Sequence, residues 1–254
     1  MTVSAIFDII LRSMKEQVKA IFFDIDDTLY STTEFAALAR RNSIEAMRRI
    51  GLKVPAGVLI RELNEVISEF SSNYEHHFDK LLLRLPGENI RSINTAILIA
   101  SAIVAYHETK FKELKPYPDV IPTLKRLSRT GLIIGIITAG LEVKQAEKII
   151  RLKIYNLLTP NALFISDQIG ISKPNVKLYL RACEQFAIKP SEAMYVGDNP
   201  ITDIDPPNSI GMITVRSRRS GKYKNIAGGT KPSYEINKFS ELLGILRRDF
   251  SLKV

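Results

Sequence analysis

Ala20-Ile21-Phe22-Phe23-Asp24-Ile25-Asp26-Asp27-Thr28-Leu29-Tyr30 is the stretch whose reading decides the fold. Its apolar opening, with two Phe residues, reads as a buried strand too short for a helix. The strand ends abruptly in three carboxylates and a hydroxyl. Asp and Thr are ordinary in turns and at helix N-caps. Three Asp residues within four positions, however, repel one another unless a divalent cation, a Lys or a shared proton offsets the repulsion. The rest of the chain is therefore read for the groups that would supply that offset.

The 254 residues suffice for one sizeable core, or one core with a smaller inserted domain. The apolar fraction of 45% and charged fraction of 25% are those of a soluble globular protein. The apolar stretch from Ala96 to Ala105 is interrupted by Ser101 and too short to span a bilayer, so no membrane association is expected. The first residues lack a basic start, and no secretory signal is expected. The single cysteine, Cys183, excludes an internal disulfide framework and fits a reducing compartment, the cytoplasm by default. It is read as a small buried apolar residue. Net charge is +9, with basic residues concentrated at Arg216, Arg218, Arg219, Lys222 and Lys224. A nucleic-acid surface is one reading. The preferred one is a solvated loop, because Tyr223 is the run's one aromatic and no nucleic-acid-binding motif surrounds it.

Ser4 to Gln17 has the apolar spacing of an amphipathic helix. After Tyr30 four helices are predicted, over Phe35 to Ile50, Val58 to Ser71, Tyr74 to Leu85 and Ile90 to Phe111, with no strand between Ser31 and Lys115. His76 and His77, adjacent on the third, would point roughly 100° apart and not at one ligand. From Asp119 helices and strands alternate, as a parallel sheet requires. Strands are predicted at Leu132 to Ile137, Ala162 to Ile165, Met194 to Val196 and Met212 to Val215. Helices are predicted at Ile121 to Arg129, Leu141 to Arg151, Val176 to Phe186 and Glu241 to Arg248. The expected fold is α/β: a Rossmann-like parallel sheet core, residues 1–30 and 116–254, interrupted in sequence by an all-helical insert, residues 31–115.

Polar residues follow the later segments where a phosphate site would need them. The second strand runs into Thr138-Ala139-Gly140, a hydroxyl and backbone N–H groups at the start of a helix, where anions are readily held. Ser172-Lys173-Pro174 opens the helix at Val176, with Pro suited to the first turn. Gly197-Asp198-Asn199-Pro200-Ile201-Thr202-Asp203 places two more carboxylates past a strand. Ligands in open α/β sheets bind beyond the carboxyl ends of the strands, so all these groups are expected on one edge.

Taken singly, Thr138 reads as a cap, Lys173 as a surface charge, and Asp198 and Asp203 as turn formers. In order, however, Asp-x-Asp-x-Thr, Thr, Lys and Gly-Asp-x-x-x-x-Asp make the four-motif set that resembles the haloacid dehalogenase (HAD) hydrolases. The resemblance covers Lys19 to Val215 and is closest to the subfamily with a helical cap inserted after the first motif. Tyr117-Pro118, Lys144-Gln145 and Gly211-Met212 also look like its archaeal-type phosphatases.

The resemblance implies a Mg²⁺-dependent phosphatase acting through an aspartyl-phosphate. Asp24 would be the nucleophile and a metal ligand. Asp26 would be the general acid and then the base, its main-chain carbonyl a second metal ligand. Asp198 would complete the protein's metal ligands. Asp203 and Thr28 would support the site, Lys173 would neutralise Asp24 and the phosphoryl group, and Thr138 and Ala139 would hold phosphate oxygens. Two positions depart from the pattern. Ala139 stands where the family usually has Asn or Asp, and Asp205-Pro206-Pro207 follows the last motif, with Asp205 expected as a helix N-cap.

The expected substrate is a small phosphorylated metabolite, since a cap closing over the sheet edge excludes water and large substrates. Nucleic acid is not expected as a partner, and a homodimer is the assembly considered. A dehalogenase or a phosphonatase would lack the acid at Asp26. A phosphomutase shares every motif. A binding or regulatory protein using the basic segment is the reading of another class.

Overall fold

The computed structural model describes residues 17–219, 221 and 223–254. The helix expected over Ser4 to Gln17 falls almost entirely outside the described residues, as does Lys222. The chain divides into two compact units. One joins the residues up to Ser31 to Pro116–Val254, and the other is Thr32–Lys115.

The first unit is built on a six-stranded sheet: β1 (Ala20–Phe23), β2 (Ile133–Thr138), β3 (Leu163–Ile165), β4 (Ala193–Gly197), β5 (Ile213–Ser217) and β6 (Tyr234–Ile236). The order is β3-β2-β1-β4-β5-β6 and every pairing is parallel. β1 lies at the centre, with Ala20 opposite Ile133 on one side and Ala193 on the other. The order reverses there, which puts a crevice beyond the carboxyl end of β1, where ligands of such sheets bind. Covered on both faces, β1 is apolar without alternation. Phe22 packs edge-on against Phe164 at 5.9 Å, while Phe23 meets Phe239 at 5.2 Å. Cys183 lies in the Phe22 cluster, where burial pushes its thiol up to about 11, so it behaves as a core residue.

The second unit is helical throughout. Its helices are α1 (Thr32–Arg49), α2 (Ala56–Phe70), α3 (His77–Leu83) and α4 (Thr95–Glu113), around a core that includes Ile44, Met47, Leu59, Leu63, Leu81 and Leu98. Two helices are shorter than expected. α4 starts at Thr95 because Asn94 caps it, accepting the Ala96 N–H, and the preceding Gly87–Asn89 forms a 3₁₀ turn. α3 starts at His77. Tyr74, expected inside it, stacks on Phe70, and both His76 and His77 lie edge-on to the Tyr74 ring. The two histidines therefore share one aromatic neighbour.

In the sheet unit the remaining helices are α5 (Val120–Leu127), α6 (Glu142–Arg151), α7 (Ser166–Ile169), α8 (Val176–Gln185), α9 (Asp205–Ser209) and α10 (Glu241–Phe250). No described helix is long and apolar enough to cross a membrane. Two expected helix starts are corrected. Pro174 precedes α8 instead of opening it, because Asn175 is the cap and accepts the Lys177 N–H at 3.0 Å. Asp205 does not cap α9, which follows directly on the π-helical turn Pro200–Ile204. Its carboxylate instead accepts from the Gly229 and Thr230 N–H groups and the Thr230 hydroxyl, tying down the chain before β6.

The three arginines of the basic segment are likewise not the solvated side chains expected, while Lys224 is exposed. Arg216 is buried in β5 and donates Nη2 to the Tyr223 and Ile226 carbonyls. Arg218 reaches Glu235 and the Lys224 carbonyl. Arg219 lies 4.2 Å over the Tyr117 ring and donates to Asp119 at 2.5 Å. Arg forks satisfy several carbonyls at once, so these cations hold the β5–β6 connection together.

Burial alone would push the Asp119 carboxyl up, but hydrogen bonds from Arg219 and the Ser240 N–H outweigh it and hold it below its ordinary value. A depressed carboxyl contributes stability above its unfolded pKa of about 3.9, and loses it as pH falls through the lower folded value. Asp119→Asn is therefore expected to lower Tm at pH 7, with the gap to wild type closing below about pH 4. A gap unchanged down to pH 3 in thermal unfolding would contradict this.

Candidate functional site

Four chain segments converge beyond the carboxyl ends of β1, β2 and β4. Asp24 stands one residue past β1 and is locked by its N–H, which donates to the Val196 carbonyl at 2.9 Å. The chain then turns tightly. The Thr28 and Leu29 N–H groups both return to the Ile25 carbonyl, and Asp27 takes the left-handed conformation at φ 51°. Asp is among the few residues tolerated there. The turn buries Ile25 and leaves Asp24 and Asp26 emerging at alternate positions.

At the end of β4, the turn Pro200–Ile204 doubles back so that Asp203 lies on Gly197. A Cβ on Gly197 would fall 2.5 Å from the Asp203 side chain. Glycine is thus required by close approach and not by a turn conformation. The Asn199 N–H donates to Asp203 Oδ2 at 3.1 Å, and the Asp203 N–H returns to the Asn199 carbonyl at 2.7 Å.

Lys173, entering before α8, joins these two ends. Its Nζ donates to Asp24 Oδ1 at 2.8 Å, to Asp203 Oδ1 at 2.8 Å and to the Tyr195 hydroxyl at 2.5 Å. An ammonium has three donors, and all three are matched. Tyr195 in turn donates to the Ile137 carbonyl at 2.8 Å. Tyr195 carries no motif, but a hydroxyl inside the buried strand Ala193–Gly197 is a legible anomaly, because a buried tyrosine hydroxyl needs a partner.

Negative charge exceeds positive here. Burial pushes the Asp24 carboxyl up to about 6 despite the opposing Lys173 ammonium, with Asp203 and Asp26 adding to the rise. Burial lowers the Lys173 ammonium, but Asp203 and Asp24 outweigh it and hold it well above its ordinary value. Asp198 fares worst. Burial, then Asp203, Asp24 and Asp27, push its carboxyl up to about 9, and its Oδ2 finds no hydrogen-bond partner among the described residues. Oxygens of Asp24, Asp198 and Asp203 lie within 4.8 Å of one another. An all-oxygen set with an unsatisfied buried carboxylate fits a hard divalent cation such as Mg²⁺. Within the set, Asp203 is already engaged by Lys173 and the Asn199 N–H, which makes it a counter-ion to Lys173 more than a metal ligand.

Thr138 ends β2, buried, with a hydroxyl that has no partner among the described residues. The Thr28 hydroxyl is in the same condition. At the departing position, the Ala139 carbonyl accepts from Gln145 Nε2 at 2.6 Å, and the Gly140 N–H donates to the Ser166 hydroxyl at 3.0 Å. The Gly140 donor is therefore spent within the fold. Gln145, buried on α6, thus spends its amide N–H on the Ala139 carbonyl, and its Oε1 has no partner among the described residues.

Asp26 is held apart from Lys173. Lys148 Nζ lies 2.7 Å from both Asp26 oxygens, and the Tyr30 hydroxyl donates to Oδ1 at 2.8 Å. Neither residue was singled out from the sequence. Lys148 was findable, since it follows Gln145 by three positions on a helix whose inward residues also include Ile149.

Residues 18–211 match the family described as haloacid dehalogenase-like hydrolase. The chain is 46% identical to the glyceraldehyde 3-phosphate phosphatase of Methanopyrus kandleri, over 91% of this chain and 97% of that protein. It is 37% identical to the protein of the same name from Methanocaldococcus jannaschii, with the same coverage. Among solved structures, a HAD phosphatase from Thermococcus onnurineus superposes with a TM-score of 0.64 at 26% identity, covering 90% of this chain and 98% of that one.

Burial and its acidic neighbours disfavour the ionised form of Asp198, and Asp198→Asn replaces it with an amide that cannot ionise. The variant is expected to melt no lower than wild type in chelator, and to lack the Tm rise that wild type is expected to gain in millimolar Mg²⁺. A Mg²⁺-dependent Tm rise of wild-type size in the variant would remove Asp198 from the cation site.

Proposed function

From the premise that the chain belongs to the haloacid dehalogenase-like hydrolases and is a phosphoric monoester hydrolase, we propose that it dephosphorylates a small phosphorylated aldehyde, glyceraldehyde 3-phosphate or a close analogue. The chemistry proposed is Mg²⁺-dependent and passes through an aspartyl-phosphate. The observation that carries the reading is Lys173, whose ammonium is 2.8 Å from both Asp24 and Asp203 while Oδ2 of the neighbouring Asp198 has no hydrogen-bond partner among the described residues. That arrangement orients one carboxylate for attack and leaves an oxygen-rich cluster for a cation. The substrate class is taken from the relatives named as glyceraldehyde 3-phosphate phosphatases.

In this reading an Asp24 oxygen attacks phosphorus as the ester P–O bond breaks, and Asp26 gives a proton to the departing alkoxide oxygen. Water then attacks the phosphorus of the aspartyl-phosphate. Asp26 takes its proton, the bond to Asp24 breaks, and inorganic phosphate leaves. Lys173 keeps Asp24 in line and offsets the charge of the phosphoryl group, and the Thr138 hydroxyl and Ala139 N–H hold its oxygens. Asp24, Asp198 and the Asp26 main-chain carbonyl would hold Mg²⁺, with Asp203 and Thr28 in support. When bound, the cation neutralises phosphoryl oxygens so that an anionic carboxylate approaches phosphorus. The acid at Asp26 separates this reading from carbon–halogen hydrolysis, whose leaving group needs no proton.

Assayed on a panel of small phosphate esters, the enzyme is expected to favour glyceraldehyde 3-phosphate over glycerol 3-phosphate and to be inactive in chelator. Asp24→Asn, nearly isosteric but unable to attack, is expected to lose about 10³-fold or more of kcat while remaining folded. Substantial turnover by that variant would overturn the nucleophile assignment. Failure to hydrolyse any ester with Mg²⁺ present would overturn the phosphatase reading.

A further inference from the structure

We propose that Lys148 is a positioning residue for the proton-transfer steps, clamping the Asp26 carboxylate through both oxygens with Tyr30 as the second jaw. The proposal rests on the reading of Asp26 as the acid and base.

α6 turns Gln145, Lys148 and Ile149 inward, and its other cations need not follow. Arg151, one turn on, pairs along the helix with Glu147 at 2.7 Å. Lys148 instead crosses to a residue 122 positions away in the chain, and its side chain is only 18% exposed. Ordering a long side chain costs rotamer freedom, and partly desolvating its ammonium adds to that cost. A lysine on a helix at the domain surface avoids that cost by pointing outward, unless the contact compensates.

The geometry of the contact is that of a clamp. Two distances of 2.7 Å place the ammonium on the bisector of the carboxylate. The Tyr30 hydroxyl at 2.8 Å breaks the symmetry by engaging Oδ1 alone, which fixes rotation about the terminal bond. Tyr30 is itself delivered by the turn, since the Leu29 N–H returns to the Ile25 carbonyl and Asp26 bridges Tyr30 in parallel fashion. Asp26 needs such holding because it cannot share Lys173, whose three donors are taken by Asp24, Asp203 and Tyr195. With its side chain about one-third exposed and the Asp24 carboxylate near enough to repel it, an unclamped Asp26 is driven outward. Each carboxylate that acts on substrate thus has its own ammonium: Lys173 for Asp24 and Lys148 for Asp26.

The test separates holding Asp26 from holding the fold or the substrate. Lys148→Met keeps the methylene stem and removes the charge. It is expected to lower kcat on an alkyl phosphate by about 10–100-fold, a part of what a general acid contributes, with KM changed little. On an aryl phosphate, whose leaving group needs no proton, the first turnover should keep its rate and release about one equivalent as a burst. Only the later steady state should slow. Burst amplitude also counts the folded, Asp24-competent enzyme. Lys148→Arg should recover part of kcat, and Lys148→Met should have no further effect in an Asp26→Asn background. Additive losses in the double variant, equal losses in the alkyl and aryl first turnovers, or a rise in KM alone would each overturn the proposal. Wild-type kcat for Lys148→Met beside a large loss for Asp26→Asn would overturn it while leaving the acid–base reading standing. Wild-type activity of Asp26→Asn would overturn that reading and this proposal with it.

Discussion

One ammonium in contact with two buried carboxylates is the constraint on which the site depends. Lys173 reaches the catalytic edge from the loop before α8, and its two carboxylates come from the ends of β1 and the turn after β4. Removing it would leave Asp24 and Asp203 buried and mutually repelling, which costs several kcal/mol in comparable cases. A buried ion pair is poor evidence of net stability, because desolvation cancels most of its attraction. Its value here is arrangement. The pair spans strands that are neighbours in space and remote in sequence, and with Tyr195 it fixes where the Asp24 oxygen points.

What Lys173 does not neutralise matters as much. Asp198 is pushed up to about 9 by burial and by its acidic neighbours, so its ionised form calls for a positive charge that the protein does not supply. Unsatisfied buried groups of this kind concentrate where a ligand completes the site. In the proposed chemistry the protein's contribution is placement and electrostatics: one carboxylate aimed, a second clamped by Lys148, and an oxygen cluster left for a cation.

Much of this was legible in the chain because the sheet writes its signals plainly. β1, β2 and β4 are apolar runs that end in polar residues, and Asp24, Thr138 and Asp198 fall at those ends, with Lys173 before α8 and Asp203 in the turn after β4, in motif order. The edge strand β6 was not legible. Tyr234-Glu235-Ile236 is three residues long, half-exposed and surrounded by polar chain, and it forms because β5 offers it a partner. Helix starts moved because tertiary contacts outbid periodicity. Tyr74 prefers the Phe70 ring and two histidines to a place in α3, and Asp205 prefers three donors near β6 to a cap. The basic segment misled for the opposite reason, since charge counts say nothing about how many Arg donors find carbonyls. Lys148 and Tyr195 escaped because each reads as ordinary alone, and their meaning lies in partners distant along the chain.

The central claim, that Asp24 carries the phosphoryl group, is tested most directly by trapping. The enzyme is mixed with glyceraldehyde 3-phosphate and Mg²⁺, quenched in acid within one turnover, and treated with borohydride, which reduces an acyl phosphate to an alcohol. Peptide mass spectrometry is then expected to find homoserine at position 24 and unchanged aspartate at 26, 198 and 203. Reduction at another of these residues, or none at any time point while phosphate is being released, would contradict the account.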